Sequence, residues 1–232
     1  SLQRLQTDYI DLYQVHWPER KTNFFGQRGY RHIEEDTWED NMLEVLEAMT
    51  DLVKEGKIRH FGLSNETSWG FQNYLKLSEK HGLTKVQSIQ NPYSLLNRLF
   101  EVGNAEIAIR EKAGLLAYSP MAFGLLSGKY HNGSNVDKGR LTLFGDKMTR
   151  YNSMQCYDAT QMYIDLAKEW KMSIAQMCLA FITDQPFVTA NIIGATTMSQ
   201  LKENIDSADI TLTKEQRKAI DKVQELIPNP AP

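Results

Sequence analysis

Apolar and polar residues alternate along this chain with two different periods. Residues 8–18, DYIDLYQVHWP, read as a short strand. Asp8, Ile10, Leu12, Gln14 and His16 share one parity, and Tyr9, Asp11, Tyr13 and Val15 the other. Pro18 cannot continue a ladder, so the strand ends about where His16 emerges. A long polar and aromatic loop follows over 17–35, carrying Phe24, Phe25, Gly26, Gly29 and Tyr30. Loops of that length inside a compact domain are commonly functional or disordered. Residues 37–55 switch to helical spacing. Met42, Val45, Leu46, Met49, Leu52 and Val53 recur at three- and four-residue steps, and Gly56 is placed to cap the end.

The alternation repeats to the end of the chain. Strands are predicted over 57–65, 86–90, 115–118 and 191–193. Helices are predicted over 67–81, 101–113, 154–170, 174–184, 198–207 and 214–226, and residues 1–5 read as the end of another. Gly82 and Gly114 read as helix stops, and Pro92 as the break after the third strand. Ser173 with Gln176 has capping-box spacing, and Thr197 with Gln200 and Thr213 with Gln216 are spaced to cap the last two helices. Residues 131–153 are polar and glycine-rich, and read as a mobile, irregular crossover. The tail PNPAP reads as frayed.

Strands alternating with helices argue an α/β fold with a parallel sheet. Each polar pair or glycine-rich turn follows the carboxyl end of a strand. That is the ligand side of a closed β/α barrel and of an open doubly wound sheet alike. No GxGxxG occurs, which argues against the open dinucleotide-binding sheet.

Composition changes this picture little. Of 232 residues, 41% are hydrophobic and 24% charged, as in ordinary globular proteins, and a net charge of −3 gives no footprint for nucleic acid. No apolar stretch approaches the roughly 20 residues that span a bilayer, and no signal-peptide pattern occurs. Cys156 and Cys178 sit in no CxxC or zinc-like spacing, so no metal site is expected and a cytoplasmic setting is.

Five blocks carry a resemblance: SLxRLxTDYIDLYQVHWP, GKIRHFGLSN, QNPYSLLNR, AYSPMAFGLLSGKY and IIGATTMSQLKENI. In this order, and covering nearly all of the chain, they resemble the aldo-keto reductases, especially their Tas-like branch. The resemblance implies a (β/α)8 TIM barrel that binds NADP(H) in an extended pose. It implies NADP(H)-dependent reduction of an aldehyde or ketone, a small-molecule carbonyl substrate, to an alcohol.

By that match His16 is the catalytic histidine that polarises the carbonyl. On position alone a lone histidine is more often a satisfied structural residue. Ser64, Asn65 and Gln90 would hold the nicotinamide carboxamide, which needs donors and acceptors in one plane. Tyr118 would stack on the nicotinamide ring, or be a core aromatic with a satisfied hydroxyl. Ser119, Pro120, Met121, Phe123 and Gly124 would line the pyrophosphate. Ser127, Lys129 and Arg140 match positions that meet the phosphates and adenosine end, although such cations are as a rule solvated. Gly194 and Thr196 precede a helix N-terminus, where unpaired N–H groups favour an anion such as a 2′-phosphate. Gln200 would meet phosphate or ribose, or only cap its helix, and Glu203 and Asn204 would meet the adenine. Trp17, with Phe24, Phe25 and Tyr30, suggests an aromatic substrate wall.

The same resemblance sets an expectation about extent. The five strands near Tyr9, Ile58, Val86, Leu115 and Ile192 would make residues 1–232 a single N-terminally truncated domain with about five of the eight β/α units. The family's catalytic Asp, Tyr and Lys would then be absent. A missing general acid costs roughly 10² to 10⁴ in rate. The two outer strands would be open edges. The alternative is a non-catalytic NADP(H)-binding regulatory subunit or pseudoenzyme. Oligomeric state is not legible.

Overall fold

The computed structural model describes residues 1–22, 29–34, 38–131, 136–147 and 149–232. A short helix α1 (Leu2–Leu5) leads into β1 (Ile10–Val15). There follow α2 (Met42–Lys54), β2 (Ile58–Ser64), α3 (Ser68–His81), β3 (Ser88–Pro92), α4 (Phe100–Glu111) and β4 (Gly114–Tyr118). The chain continues through α5 (Arg140–Phe144), α6 (Met154–Glu169), α7 (Ile174–Thr183), β5 (Val188–Asn191), α8 (Met198–Asp206) and α9 (Lys214–Leu226). The strands form one parallel sheet in the order β1-β2-β3-β4-β5. Its spatial order never reverses, so it has no topological switch point. Right-handed crossovers then set successive helices on one face, which is the winding of a β/α barrel rather than of a doubly wound sheet.

Strand register decides which face is apolar. Val15, Leu63, Ile89 and Leu115 lie in one row, with Phe61 and Ala117 on the same face. Phe61, Leu63, Ile89, Leu115 and Ala117 are all buried, in one core with Met42, Leu46, Phe71, Leu75 and Ala108 from the helices. Each fully buried Leu, Ile or Phe is worth about 1.5–3 kcal/mol. The other face is small and polar: Gln14, Gly62, Ser88 and Gly114 form one row, and Ser64, Gln90 and Leu116 the next. Close strand approach requires the glycines. A Cβ on Gly62 would lie 2.9 Å from the Ser88 carbonyl oxygen, and one on Gly114 would meet the Thr189 side chain.

Several expectations are corrected. β3 runs through Pro92, whose register partner is Tyr118. The ladder bond there is made by the Tyr93 N–H to the Tyr118 carbonyl at 3.2 Å, so proline loses nothing. Gly114 opens β4, and Lys112, with φ 54°, closes α4. β5 lies three residues earlier than the pattern placed it, and α2 starts at Met42 rather than residue 37. Within 131–153 the chain is not wholly irregular, since it forms α5 there. The tail is packed, not frayed. The Asn229 Oδ1 accepts from the Arg98 N–H at 2.6 Å, the Ala231 N–H donates to the Leu96 carbonyl at 3.0 Å, and Pro230, Ala231 and Pro232 are buried.

Helix ends follow the side chains expected of them. Thr67, Ser153, Ser173, Thr197 and Thr213 accept at the N-termini of α3, α6, α7, α8 and α9. Thr213 with Gln216 is a full reciprocal box. The Ser173 hydroxyl also donates to the Glu203 carboxylate, and Gln200 Oε1 accepts from the Thr196 N–H.

Candidate functional site

His16 is the first residue past β1 and is exposed. Its ring stacks on Trp17, with centroids 4.3 Å apart and planes 16° apart. Its backbone carbonyl accepts from Asn65 Nδ2 at 2.9 Å. Ser64 ends β2. Its hydroxyl donates to the Gln90 carbonyl at 2.9 Å and accepts from Asn65 Nδ2 at 3.2 Å. The Asn65 N–H reaches the same Gln90 carbonyl at 3.0 Å. The Tyr118 hydroxyl donates to Asn65 Oδ1 at 2.7 Å, and Gln90 Nε2 donates to Gln14 Oε1 at 2.9 Å. His16, Ser64, Asn65, Gln90 and Tyr118 are thus joined in one hydrogen-bonded network across the carboxyl ends of four adjacent strands.

Asn65 is the hub of that network. Its φ is 54°, in the left-handed region, where an Asn is better tolerated than most residues. Such a conformation costs of order 1–3 kcal/mol and persists where the surroundings over-determine it. Both of its amide hydrogens are donated and its Oδ1 accepts once, so one Oδ1 lone pair remains among the described residues. Among the described residues Gln90 keeps more capacity, with its Oε1 and a second amide hydrogen. The pair can present an acceptor and a donor to a planar primary amide. Burial raises the Tyr118 phenol above its ordinary pKa, with Arg150 opposing and Tyr151 reinforcing the shift. Its hydroxyl is therefore a neutral donor at physiological pH.

The turn after β4 is backbone-strained. Ser119, Ala122 and Phe123 have φ of 55°, 46° and 60°, and Gly124 and Gly128 have 96° and 75°. Ala122, Phe123 and Gly124 are left-handed in succession, and the Ala122, Gly124, Leu126 and Gly128 N–H groups are donated to carbonyls within the turn. Pro120 is buried beneath this turn and Met121 half-buried. The Ser127 hydroxyl donates to the Gly124 carbonyl at 2.7 Å, and the Lys129 side chain passes 3.4 Å from where a Gly124 Cβ would be. Arg140 lies over the Phe123 ring at 4.0 Å, and Phe123 stacks on Tyr151 at 5.9 Å with planes 8° apart. Two exposed cations are therefore fixed beside one glycine turn.

Past β5, Gly194 and Thr196 are exposed ahead of α8. The Thr196 N–H and hydroxyl both donate to Gln200 Oε1 at 3.0 Å, and Asn204 Nδ2 donates to the Gly194 carbonyl at 3.4 Å. Glu203 is turned instead to the Ser173 hydroxyl. In this arrangement Gln200 and Asn204 brace the 194–196 loop and Glu203 braces α7.

Three features escaped sequence reasoning. Gln14 completes the Gln90 contact, and its shared parity with His16 was the available signal. Arg20 and Glu66 form an ion pair whose side chains are only 10% and 3% exposed. Trp38 and Trp69 flank that pair, with the Arg20 guanidinium carbon 5.9 Å and 4.9 Å from their ring centres. Nothing local in the sequence links residues so far apart. His16, Trp17, Arg20, Trp38 and Glu66 also line a cleft of about 340 Å³. Tyr30 is exposed, whereas Phe24 and Phe25 lie outside the described residues. No helix among the described residues is long and apolar enough to cross a membrane, and they contain no cluster able to hold a metal.

The Aldo/keto reductase family profile matches residues 1–225. The chain is 48% identical to Protein tas of Escherichia coli, over 100% of its own length and 66% of that protein's. It is 37% identical to an aldo-keto reductase of Babesia bovis, over 88% of the chain and 76% of that protein. It is 28% identical to the NADH-specific methylglyoxal reductase of Escherichia coli, over 96% of the chain and 63% of that protein. By the extent of the family match, the chain belongs to the aldo/keto reductase family.

Proposed function

We propose that this chain binds NADP(H) across the carboxyl ends of β1 to β5 and serves the reduction of an aldehyde or ketone to an alcohol. The observation that carries the reading is the continuous network from His16 through Asn65 to Tyr118, next to a strained glycine turn flanked by Lys129 and Arg140. When bound, a dihydronicotinamide would supply a hydride to the carbonyl carbon, and the carbonyl oxygen would take its proton from water. The chain's side chains and backbone bind and orient the two partners. Asn65 and Gln90 orient the carboxamide, and the Tyr118 ring offers a flat face to the nicotinamide. The backbone and Ser127, with the Lys129 and Arg140 charges, suit the phosphates. His16, at the mouth of the cleft, hydrogen-bonds the substrate oxygen, and Trp17 walls the substrate.

The 2′-phosphorylated cofactor is favoured over NAD by the cations and by the N-terminus of α8, where helix N–H groups and dipole favour an anion. At that N-terminus the Thr197 hydroxyl accepts from the Gln200 N–H at 3.2 Å. One relative is named NADH-specific, so the preference is a property to measure. Titration of the chain with NADPH and NADH, followed by nicotinamide emission, tests it. NADPH is expected to bind saturably and more tightly than NADH, and K129M and R140M to narrow the gap. Equal binding of the two cofactors would reject the phosphate assignment, and no binding of either would reject the whole reading.

A further inference from the structure

Glu66 is an acid that the cofactor reading leaves unused, and it is almost fully buried. Arg20 grips it with both terminal nitrogens. Nη1 lies 3.1 Å from Oε2, and Nη2 meets Oε1 while also donating to Thr67 Oγ1 at 2.9 Å. A forked guanidinium–carboxylate pair is fixed in direction as well as distance. Trp38 and Trp69, set edge to face at 83°, flank the guanidinium and keep water from it. The Thr67 N–H donates to Glu66 Oε1 at 2.6 Å. The Glu66 backbone carbonyl accepts from Asn91 Nδ2 at 2.9 Å and Asn104 Nδ2 at 3.4 Å.

Three of these residues lie next to the proposed cofactor site in sequence. Arg20 lies four residues past His16, Glu66 directly follows the left-handed Asn65, and Asn91 directly follows Gln90. The pair therefore links the loops leaving β1 and β2, and the Glu66 carbonyl adds β3. A buried pair of this kind is weak evidence for stability but is suited to fixing one arrangement among several. Resting on the cofactor reading above, we propose that Arg20 and Glu66 are positioning residues. They hold Asn65 in its left-handed conformation and hold the His16–Trp17 segment against it, so that the nicotinamide and carbonyl end of the site is preformed. The adenosine end, built on the 119–129 turn and α8, does not depend on them.

That asymmetry separates positioning from bulk stability. NADPH and adenosine 2′,5′-bisphosphate are titrated into the wild-type chain, E66Q, R20K and the double variant R20M/E66M. The double variant leaves no charge buried alone. The expected result is that all three variants bind NADPH about tenfold more weakly, near the loss of one charged hydrogen bond. Their affinity for the bisphosphate is expected to stay at the wild-type value, which also shows that they fold. Loss of both ligands in parallel, or unchanged NADPH binding in R20M/E66M, overturns the proposal. Failure of the wild-type chain to bind NADPH overturns the cofactor reading and this inference with it. Wild-type binding with indifferent variants overturns this inference alone.

Discussion

The Tyr118 hydroxyl donates to Asn65 Oδ1 at 2.7 Å, joining the end of β4 to the end of β2 across the intervening strand. Removing it with Y118F takes away one hydrogen bond and leaves the phenyl ring in place. The loss in stability is expected to be about 1 kcal/mol, read as a lower urea midpoint at unchanged slope. Because Asn65 then loses one of its restraints, NADPH affinity is expected to fall as well. A variant with wild-type stability and affinity would show that the contact holds nothing in place.

Alkaline pH should destabilise the fold. Burial, helped by Glu66 and opposed by Arg20, raises the Tyr74 phenol from 10.0 to about 12. Burial raises Tyr93 and Tyr163 in the same direction. Above pH 10 the unfolded chain releases these protons while the folded chain keeps them. Folding stability is therefore whole below pH 10, and the Tyr74 contribution is lost as pH rises towards 12. The slope is about 1.4 kcal/mol per pH unit for each such group. Urea midpoints measured across this range in wild type and Y74F test it: the variant should show the shallower decline.

Gly62 should not tolerate a methyl group. Its missing Cβ would sit 2.9 Å from a backbone oxygen of β3, which cannot rotate away. G62A is expected to cost about 1–3 kcal/mol by forcing the strands apart. Gly29, where an added Cβ meets nothing within 4 Å, provides the contrast: G29A should be neutral in the same thermal melt.

The packed tail makes a further prediction. Asn229 has φ 45° and accepts from the Arg98 N–H, while Arg98 also pairs with Glu101 and Asp221. N229A loses both the acceptor and a residue at ease in the left-handed region, and should cost about 1–2 kcal/mol. N229G loses only the acceptor and should cost less. Equal stabilities of the two variants in urea would show that backbone conformation plays no part.

Much of this molecule was legible before any coordinates. The 3.6-residue stripe through Met42, Leu46 and Met49 gave α2, and Thr67 with Gly82 bracketed α3, because caps and periodicity are local properties. The polar residues at the strand ends were legible too, and the structure joins His16, Ser64, Asn65, Gln90 and Tyr118 in one network. What escaped depends on distance in sequence. Gly114 looks like a helix stop and is a close-approach residue, because Thr189 faces it from another strand. The Pro-rich tail looks free because its partners, Leu96 and Arg98, lie far upstream. Glu66 resembles a solvated loop acid until Arg20, from another loop, is seen to cover it.

The central claim is that the ends of successive strands serve one phosphorylated nicotinamide. Backbone amide spectra of the labelled chain, recorded as NADPH is added, test it most directly. Asn65, Gln90, Tyr118, Gly124 and Thr196 should shift together along one saturation curve, with Gly82 and Gly56 at the opposite ends of the strands unmoved. Shifts scattered over the surface, or separate curves for Asn65 and Thr196, would contradict it.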